Sequence, residues 1–416
     1  MAGPGLSAPA AASALASPSL THTAKTNTMT TDTEVQPAQA TTVESSPSPS
    51  ELSTLVIADA AAEEEIVEAQ EQALVPANVK PDGPKKSDPF QFGSRYAPCT
   101  PHPDSPRTDL GQRLLLPEDD PFAFNAWDHV EIDDEYKAFA QVQLAAQRAT
   151  PVSDHDKARF NGNPAKWWDI FYKNNRENFF KDRKWLQQEF PILSAATADG
   201  YGPCVVVELG CGAGNTLFPV LQQNKNPQFR IHGCDFSANA VGVVQAQELY
   251  AEYEPKGNVI ASVYDLSAQD TLPEGVEEGT VDIVIMVFVF SALAPTQWIP
   301  ALRNVRKMLK PDGKVLFRDY GRHDLAQVRF KGGRYLDENF YIRGDGTRVY
   351  FFEETQLGEI FSGVFGEDSD LPEKETPDGY GGFKVESLAT DKRMLVNRTR
   401  KIKMHRRWMQ AVFEKL

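Results

Sequence analysis

Three glycines at alternate positions, Gly210, Gly212 and Gly214, directly follow an apolar run from Val205 to Leu209 that contains one acid, Glu208. Glycine lets the backbone take positive φ and lets a ligand come close to the main chain. The run is strand-sized, and Asn215-Thr-Leu-Phe218 after the turn reads as a helix start. Strand, glycine turn and helix open a doubly wound nucleotide-binding sheet. Two ligand classes suit such a turn. A dinucleotide asks for Gly-x-Gly-x-x-Gly, with its pyrophosphate on the helix N-terminus. Here the spacing is one residue shorter, and Glu208 would repel a pyrophosphate while attracting an ammonium group.

A zwitterion without phosphate fits that description, and S-adenosylmethionine is one. On this stretch alone, a tight turn in an unrelated α/β protein stays open. Two more acids follow strand-like runs. Asp235 closes Phe229–Cys234, where a doubly wound fold places a carboxylate on ribose hydroxyls, although Asp235-Phe-Ser-Ala also reads as a helix N-cap. Asp265 and Leu266 close Val259–Tyr264, an acid to accept from an adenine amino group and an apolar residue to cover the ring. Upstream, residues 166–185 mix aromatics with six bases and three acids. Trp168 and Tyr172 are four apart and share a helix face, either as core or as a lid over a cofactor. Rings interleaved with cations, as at Lys181-Asp-Arg-Lys184, suit exposed nucleic-acid bases and phosphates; a solvated face is the plainer alternative.

The elements that must position these residues alternate. Strands are expected at Val205–Leu209, Phe229–Cys234, Val259–Tyr264, Val281–Phe290 and Lys314–Arg318. Helices are expected up to Gln223, at Ala238–Glu252 and at Pro295–Leu309, with a turn at Lys310–Gly313. The pattern then changes to a hairpin around Gly344-Asp-Gly346, a helix at Glu354–Phe361, a loop over 364–382, and strands near Phe383–Leu388 and within Met404–Phe413. The fold class is therefore α/β: a mostly parallel sheet with an antiparallel end. A polar helix is expected from Asp133 to Ala149.

The 416 residues carry a formal charge of -15, which at first argues against a nucleic-acid partner. The charge is uneven. Residues 1–90 hold 12 acids and 4 bases, whereas residues 392–416 hold nine bases and one acid; the local field decides what binds. Residues 1–88 are low-complexity Ala, Ser, Thr and Pro without an aromatic, too poor in apolar surface to offset ordering entropy, and are expected to be disordered. Residues 89–165 read as an aromatic and helical extension, a clamp or a substrate-docking arm, and 166–416 as the α/β domain. The four cysteines have no metal-ligand spacing, so no metal is expected. No apolar run reaches membrane-spanning length. Cysteines read as reduced packing residues suit a cytoplasmic location, which is expected, with mitochondrial import the weaker alternative because the first thirty residues lack arginine.

Taken together, Glu-Leu-Gly-Cys-Gly-Ala-Gly, Asp235 and Asp265 resemble class I S-adenosylmethionine-dependent methyltransferases. Trp168-Asp-Ile-Phe-Tyr-Lys173, Asn178-Phe-Phe-Lys-Asp-Arg183, Phe288-Val-Phe-Ser-Ala292, Leu316-Phe-Arg-Asp-Tyr-Gly321 and Asp345-Gly-Thr-Arg348 resemble the eukaryotic tRNA 3-methylcytidine methyltransferases. Asn125-Ala-Trp-Asp-His-Val-Glu131 is similar to the branch acting on threonine tRNAs. The resemblance covers roughly residues 120–416. It implies a Rossmann-like fold with a seven-stranded sheet, S-adenosylmethionine as cofactor, and methylation of N3 of cytidine 32 in the tRNA anticodon loop. It places the cofactor on Trp168, Tyr172, Gly210, Asp235, Asp265, Leu266 and Val287, beside Glu208, Gly212 and Gly214 from the glycine turn. Asp319 is the candidate to stabilise the cationic product ring, with Arg318 and Tyr320 positioning; a structural Arg318–Asp319 ion pair is the rival. Phosphate contacts are assigned to Lys181, Arg183, Arg343, Arg348 and the C-terminal cluster Arg398, Arg400, Lys401, Lys403, Arg406 and Arg407. The enzyme is expected to act as a monomer, off the membrane, with an aminoacyl-tRNA synthetase as a partner known in some relatives. The competing readings are a methyltransferase for a small molecule or protein, and a non-catalytic scaffold of the same fold.

Overall fold

A computed structural model describes residues 113–364, 382–399 and 401–416. The low-complexity segment 1–88, Cys99, the loop expected over 364–382 beyond its first and last residues, and Arg400 lie outside the described residues.

The strands, in chain order, are β1 (Ala126–Asp128), β2 (Cys204–Leu209), β3 (Phe229–Asp235), β4 (Val259–Val263), β5 (Val281–Val287), β6 (Leu309–Tyr320), β7 (Tyr335–Asp337), β8 (Phe340–Ile342), β9 (Arg348–Tyr350), β10 (Phe383–Asn397) and β11 (Ile402–Lys415). Eight form one sheet in the order β1-β10-β11-β6-β5-β2-β3-β4. From β4 to β6 all pairs are parallel, and β6, β11, β10 and β1 pair antiparallel. The expected seven-strand arrangement is present, with β1 added at the edge. β1, from the extension set apart in the sequence as residues 89–165, thus pairs at the sheet edge. Trp127 on β1 is fully buried, donates from Nε1 to the carbonyl of Pro121 (2.8 Å), and packs with Met394 and Val396. The hairpin expected around Gly344–Gly346 joins β8 to β9 and belongs to a second, three-stranded sheet with β7.

Side chains of the parallel strands alternate between the two faces, as the strand period requires. Val207, Leu209, Val284, Met286, Val315 and Phe317 pack on one side, beneath the helices Pro295–Met308 and Glu354–Ser362. Val206, Ile283, Ile285, Val287 and Leu316 pack on the other, beneath Leu217–Gln223 and Ala238–Gln245. The chain leaves β2 toward β3 on one side, and β5 lies on the other side of β2. A crevice opens at such a switch point, beyond the strand C-termini.

Several boundaries differ from the sequence reading, each for a local reason. β5 stops at Val287, because Phe288 turns into the left-handed region (φ 57°). The helix expected over Ala238–Glu252 breaks after Gln245 and resumes at Glu248. The turn at Lys310–Gly313 is a bulge inside β6: Val281 faces Leu309, the next pair is Ile283 with Lys314, and Asp312 takes φ 60°. The helix carrying Trp168 and Tyr172 runs over Pro164–Asn175 and ends where Arg176 takes φ 51°.

Candidate functional site

The glycine turn bends sharply at the end of β2. Gly210, Gly212 and Gly214 take φ of 66°, 54° and 87°, the region that side chains other than glycine rarely occupy. Space matters as much as φ. A Cβ on Gly210 would meet Val289 Cγ2 at 2.5 Å, and one on Gly212 would meet Tyr172 Oη at 2.3 Å. Asp235 holds the turn in place: its Oδ2 accepts from the Gly212 amide (3.0 Å) and its Oδ1 from the Ser237 amide (2.9 Å). The N-cap of the next helix is Ser237, whose Oγ accepts from the Ala240 amide, so the capping alternative for Asp235 does not apply. Burial raises the Asp235 carboxyl to about 6 against these two hydrogen bonds. Each carboxylate oxygen still has a lone pair for a further donor.

Two segments close over this turn. The helix Pro164–Asn175 docks through Asp169, which accepts from Ser237 Oγ at 2.7 Å, and it sets the Trp168 and Tyr172 rings face to face 6.0 Å apart. The strap after it is tied by Asn215, whose Nδ2 donates to the carbonyl of Phe180 (2.9 Å) and whose carbonyl accepts from the Arg183 amide (2.7 Å). Asp265 sits at the exposed rim with Oδ1 engaged by the amide and hydroxyl of Ser267. Leu266 is buried beside it and Val287 is buried at the end of β5.

These parts line one continuous cleft of about 750 Å³. Of the expected site residues it gathers Trp168, Tyr172, Gly210, Gly212, Asp235, Asp265, Leu266, Val287, Arg318, Tyr320, Lys181, Arg183, Arg343 and Arg406. Eight expected residues among those described do not line it: Glu208, Gly214, Asp319, Arg348, Arg407, Arg398, Lys401, which lies over the Phe122 ring, and Lys403, which is 3.8 Å from Asp133. Glu208 shares the sheet face of Val206 and Leu316, 1% exposed, with Arg183 Nη1 at 3.7 Å and no well-aligned hydrogen bond to either oxygen. Burial pushes it up to about 7. The nearest charge to the acid expected to meet an ammonium group is that of Arg183. Gly214 lies against the Phe218 ring, which would clash with a Cβ at 2.4 Å. Asp319 is fully buried: Oδ2 accepts from the Ser291 amide and Oδ1 from the Tyr320 amide, both at 2.9 Å. Strand alternation decides this, since Arg318 and Tyr320 flank it and face the cleft. Arg318 does not pair with Asp319 either; it pairs with Asp391 at 2.6 Å and lies between the Trp185 and Trp408 rings. Arg348 is buried, donating to Asn161 and Gln297, and burial holds it down at about 10. A guanidinium so enclosed reaches no phosphate. Arg407 does not line the cleft, and its amide donates to Asp324. Arg406 lines the floor, with Nε on Asp324 at 2.9 Å.

The sequence reading also missed cations. Arg329, Lys331, Arg334 and Arg393 line the cleft with Lys184 of the expected Lys181–Lys184 run, and Arg329 and Lys331 are exposed. The run Arg329-Phe-Lys-Gly-Gly-Arg334 repeats the pattern of rings among cations seen at Lys181–Lys184, and that signal could have found it. The cleft is therefore lined by ten Arg and Lys against five Asp and Glu, with Asp235 and Asp265 at the strand ends and Asp182, Glu189 and Asp345 among the cations.

The family described as methyltransferase domain matches residues 207–315. The chain is 50% identical over 307 residues to the tRNA(Thr) (cytosine(32)-N(3))-methyltransferase of Saccharomyces cerevisiae, covering 74% of this chain and 46% of that one, so it spans about half the length of that relative. It is 43% identical to the tRNA N(3)-methylcytidine methyltransferase trm140 of Schizosaccharomyces pombe, covering 74% of this chain and 92% of that one. The chain belongs to the tRNA N(3)-methylcytidine methyltransferase family. Among solved structures, a SAM-dependent methyltransferase of Methanosarcina mazei aligns with 14% identity and a TM-score of 0.37, over 55% of this chain and 98% of that one.

S-adenosylmethionine is the cofactor of this methyltransferase, and the residues present fit it. Gly210 and Gly212 line the cleft with bare main chain, and their missing side chains let Val289 and Tyr172 close on the turn. Asp235 keeps acceptor capacity at the ribose position. Asp265 keeps Oδ2 for an adenine amine beside apolar Leu266. Trp168 and Tyr172 wall the side away from the sheet.

Proposed function

We propose that this methyltransferase forms 3-methylcytidine at position 32 of the tRNA anticodon loop, on threonine tRNA. The observation that carries the reading is the single cleft in which the glycine turn and Asp235 are lined together with twice as many Arg and Lys as Asp and Glu. The names of the relatives supply the base, the atom and the tRNA.

The cofactor supplies a methyl group on a sulfonium, open to in-line displacement by a lone pair. Cytidine N3 carries such a lone pair at neutral pH, so no base need remove a proton. This chain's task is placement, and alignment of reactants is worth several orders of magnitude in effective molarity. Asp235 and the Gly210–Gly212 backbone fix one partner. Lys181, Arg329, Lys331 and Arg343 meet phosphates around the other, leaving the loop base to unstack, which is cheap in a single-stranded loop. Trp168, Tyr172 and the strap over Phe180–Arg183 keep water from the junction.

The test is transfer of labelled methyl to threonine tRNA lacking the modification, with a Cyt32→Uri substrate as control, run with and without the cognate aminoacyl-tRNA synthetase. Incorporation that depends on cytidine 32 is expected. Equal labelling of the uridine control would refute the assignment of the atom, and absence of labelling in both arms would refute the substrate.

A further inference from the structure

Among the described residues, eight that are not glycine have positive φ, and seven are polar or charged: His129, Arg176, Asp270, Asp312, His323, Asn339 and Lys401. The eighth is Phe288, at 57°. A bulky aromatic there is strained, and an observed outlier of this kind points to a use for the side chain. The surroundings hold the conformation from both sides. The Phe288 amide donates to the Arg318 carbonyl (2.8 Å), and the Ser291 amide three residues on donates to buried Asp319. Val289 is thereby packed against Gly210, and the Phe288 ring is left half-buried on the cleft wall.

That ring lies 4.9 Å from the Tyr320 ring, with 45° between their planes. Both line the cleft, Phe288 one residue before the Val289 that packs on Gly210. Arg183 stands 5.8 Å from the Phe288 centroid, its charge opposed by Glu208, and Arg343 stands 5.5 Å from the Tyr320 centroid.

We infer that Phe288 and Tyr320 form the subsite for the target base, and that their ring faces stabilise the positive charge the pyrimidine acquires during methyl transfer. The inference rests on the functional reading above and deepens it. In the step, N3 uses its lone pair to form the new N–C bond while the C–S bond breaks and its pair stays on sulfur. One unit of charge thus moves from the sulfonium to the pyrimidine, and no proton moves. Asp319 cannot answer that charge, because it is buried away from the cleft. Aromatic faces attract a cation more strongly than a neutral ring, so their contribution grows on the way to the transition state, which is the condition for raising kcat rather than only lowering KM.

The test uses the full chain with Phe288→Leu, which keeps bulk and apolarity without a ring, and Phe288→Tyr, which keeps the ring. Base–aromatic stacking contributes about 10- to 100-fold per base. Phe288→Leu should lower kcat on unmodified threonine tRNA by about that factor, with KM for tRNA within about threefold and S-adenosylmethionine affinity by calorimetry unchanged. Phe288→Tyr should recover most of the loss. A fluorescent pyrimidine placed at position 32 should be quenched by wild type and Phe288→Tyr but not by Phe288→Leu. If Phe288→Leu fails to bind cofactor, Tyr320→Leu takes its place with the same expectations. A leucine variant that keeps kcat within about twofold, or that quenches the fluorescent base as wild type does, overturns the inference. A wild-type enzyme inactive on every tRNA would sink the functional reading instead, so the two failures are separable.

Discussion

Asp319→Asn separates a buried structural carboxylate from a catalytic one. In the fold Asp319 accepts two backbone amides, and burial lifts its carboxyl to about 6 from an ordinary 3.8. A folded value above the unfolded one means that the stability this group contributes is fully present below 3.8 and is lost as pH rises through about 6. The gap of about two units corresponds to about 3 kcal/mol of burial cost borne by the ionised form at neutral pH. Asparagine removes that cost. Its carbonyl oxygen can still accept from Ser291, but its amino group then faces the Tyr320 amide, an unmade bond costing about 1–3 kcal/mol. The net effect near pH 7.5 is between neutral and about 2 kcal/mol stabilising, turning destabilising below about pH 5, where the native carboxyl is uncharged in the fold. Thermal melts of both proteins from pH 5 to 8 should therefore cross. In the methylation assay kcat should fall less than about tenfold, since removing a group that stabilises charge directly costs about 100- to 1000-fold. A hundredfold loss of kcat with an unmoved melting curve and intact cofactor affinity would return Asp319 to the chemistry.

Asp235→Ala should weaken S-adenosylmethionine binding by about 100-fold or more, through lost charge-assisted hydrogen bonds and two orphaned amides, and wild-type affinity should fall as pH drops below about 6, where the carboxyl gains its proton; a Kd flat from pH 5 to 8 would contradict the ribose assignment. Gly212→Ala combines a positive φ with a Cβ 2.3 Å from Tyr172 Oη, so it should cost roughly 1–3 kcal/mol of stability and abolish calorimetric cofactor binding, unlike the same change at Gly242, which meets nothing within 4 Å. Lys331→Gln should reduce the salt slope of log K for tRNA by about 0.7–0.9, whereas Arg348→Gln should leave that slope alone and lower the melting temperature; the opposite pattern would move the phosphate contact back to Arg348.

The parallel core, the hairpin and the antiparallel end were legible because local chemistry sets them. Apolar runs of strand length, glycines at alternate positions and acids at strand ends report on a chain's near neighbours. The cofactor cradle belongs to that class: Gly210, Gly212 and Asp235 sit within one strand–turn–helix–strand passage, and their roles follow from spacing. What the sequence could not settle is which way a residue faces when a register shift or a second strand decides it. Asp319 and Arg318 are adjacent in the chain yet stand on opposite faces of β6, and only the pairing with β5 and β11 says which face holds the cleft. Arg348 and Arg343 read alike as loop cations, but packing against the helix Pro295–Met308 encloses one and leaves the other lining the cleft. Glu208 looked like part of the ligand site because it neighbours the glycines; it shares the sheet face of Arg318, but packing encloses it beneath Arg183 and keeps it from lining the cleft. Periodicity and turn chemistry are written locally in the sequence. Facing, enclosure and the meeting of Phe288 with Tyr320 are settled by contacts between distant segments, which exist only once the sheet has closed.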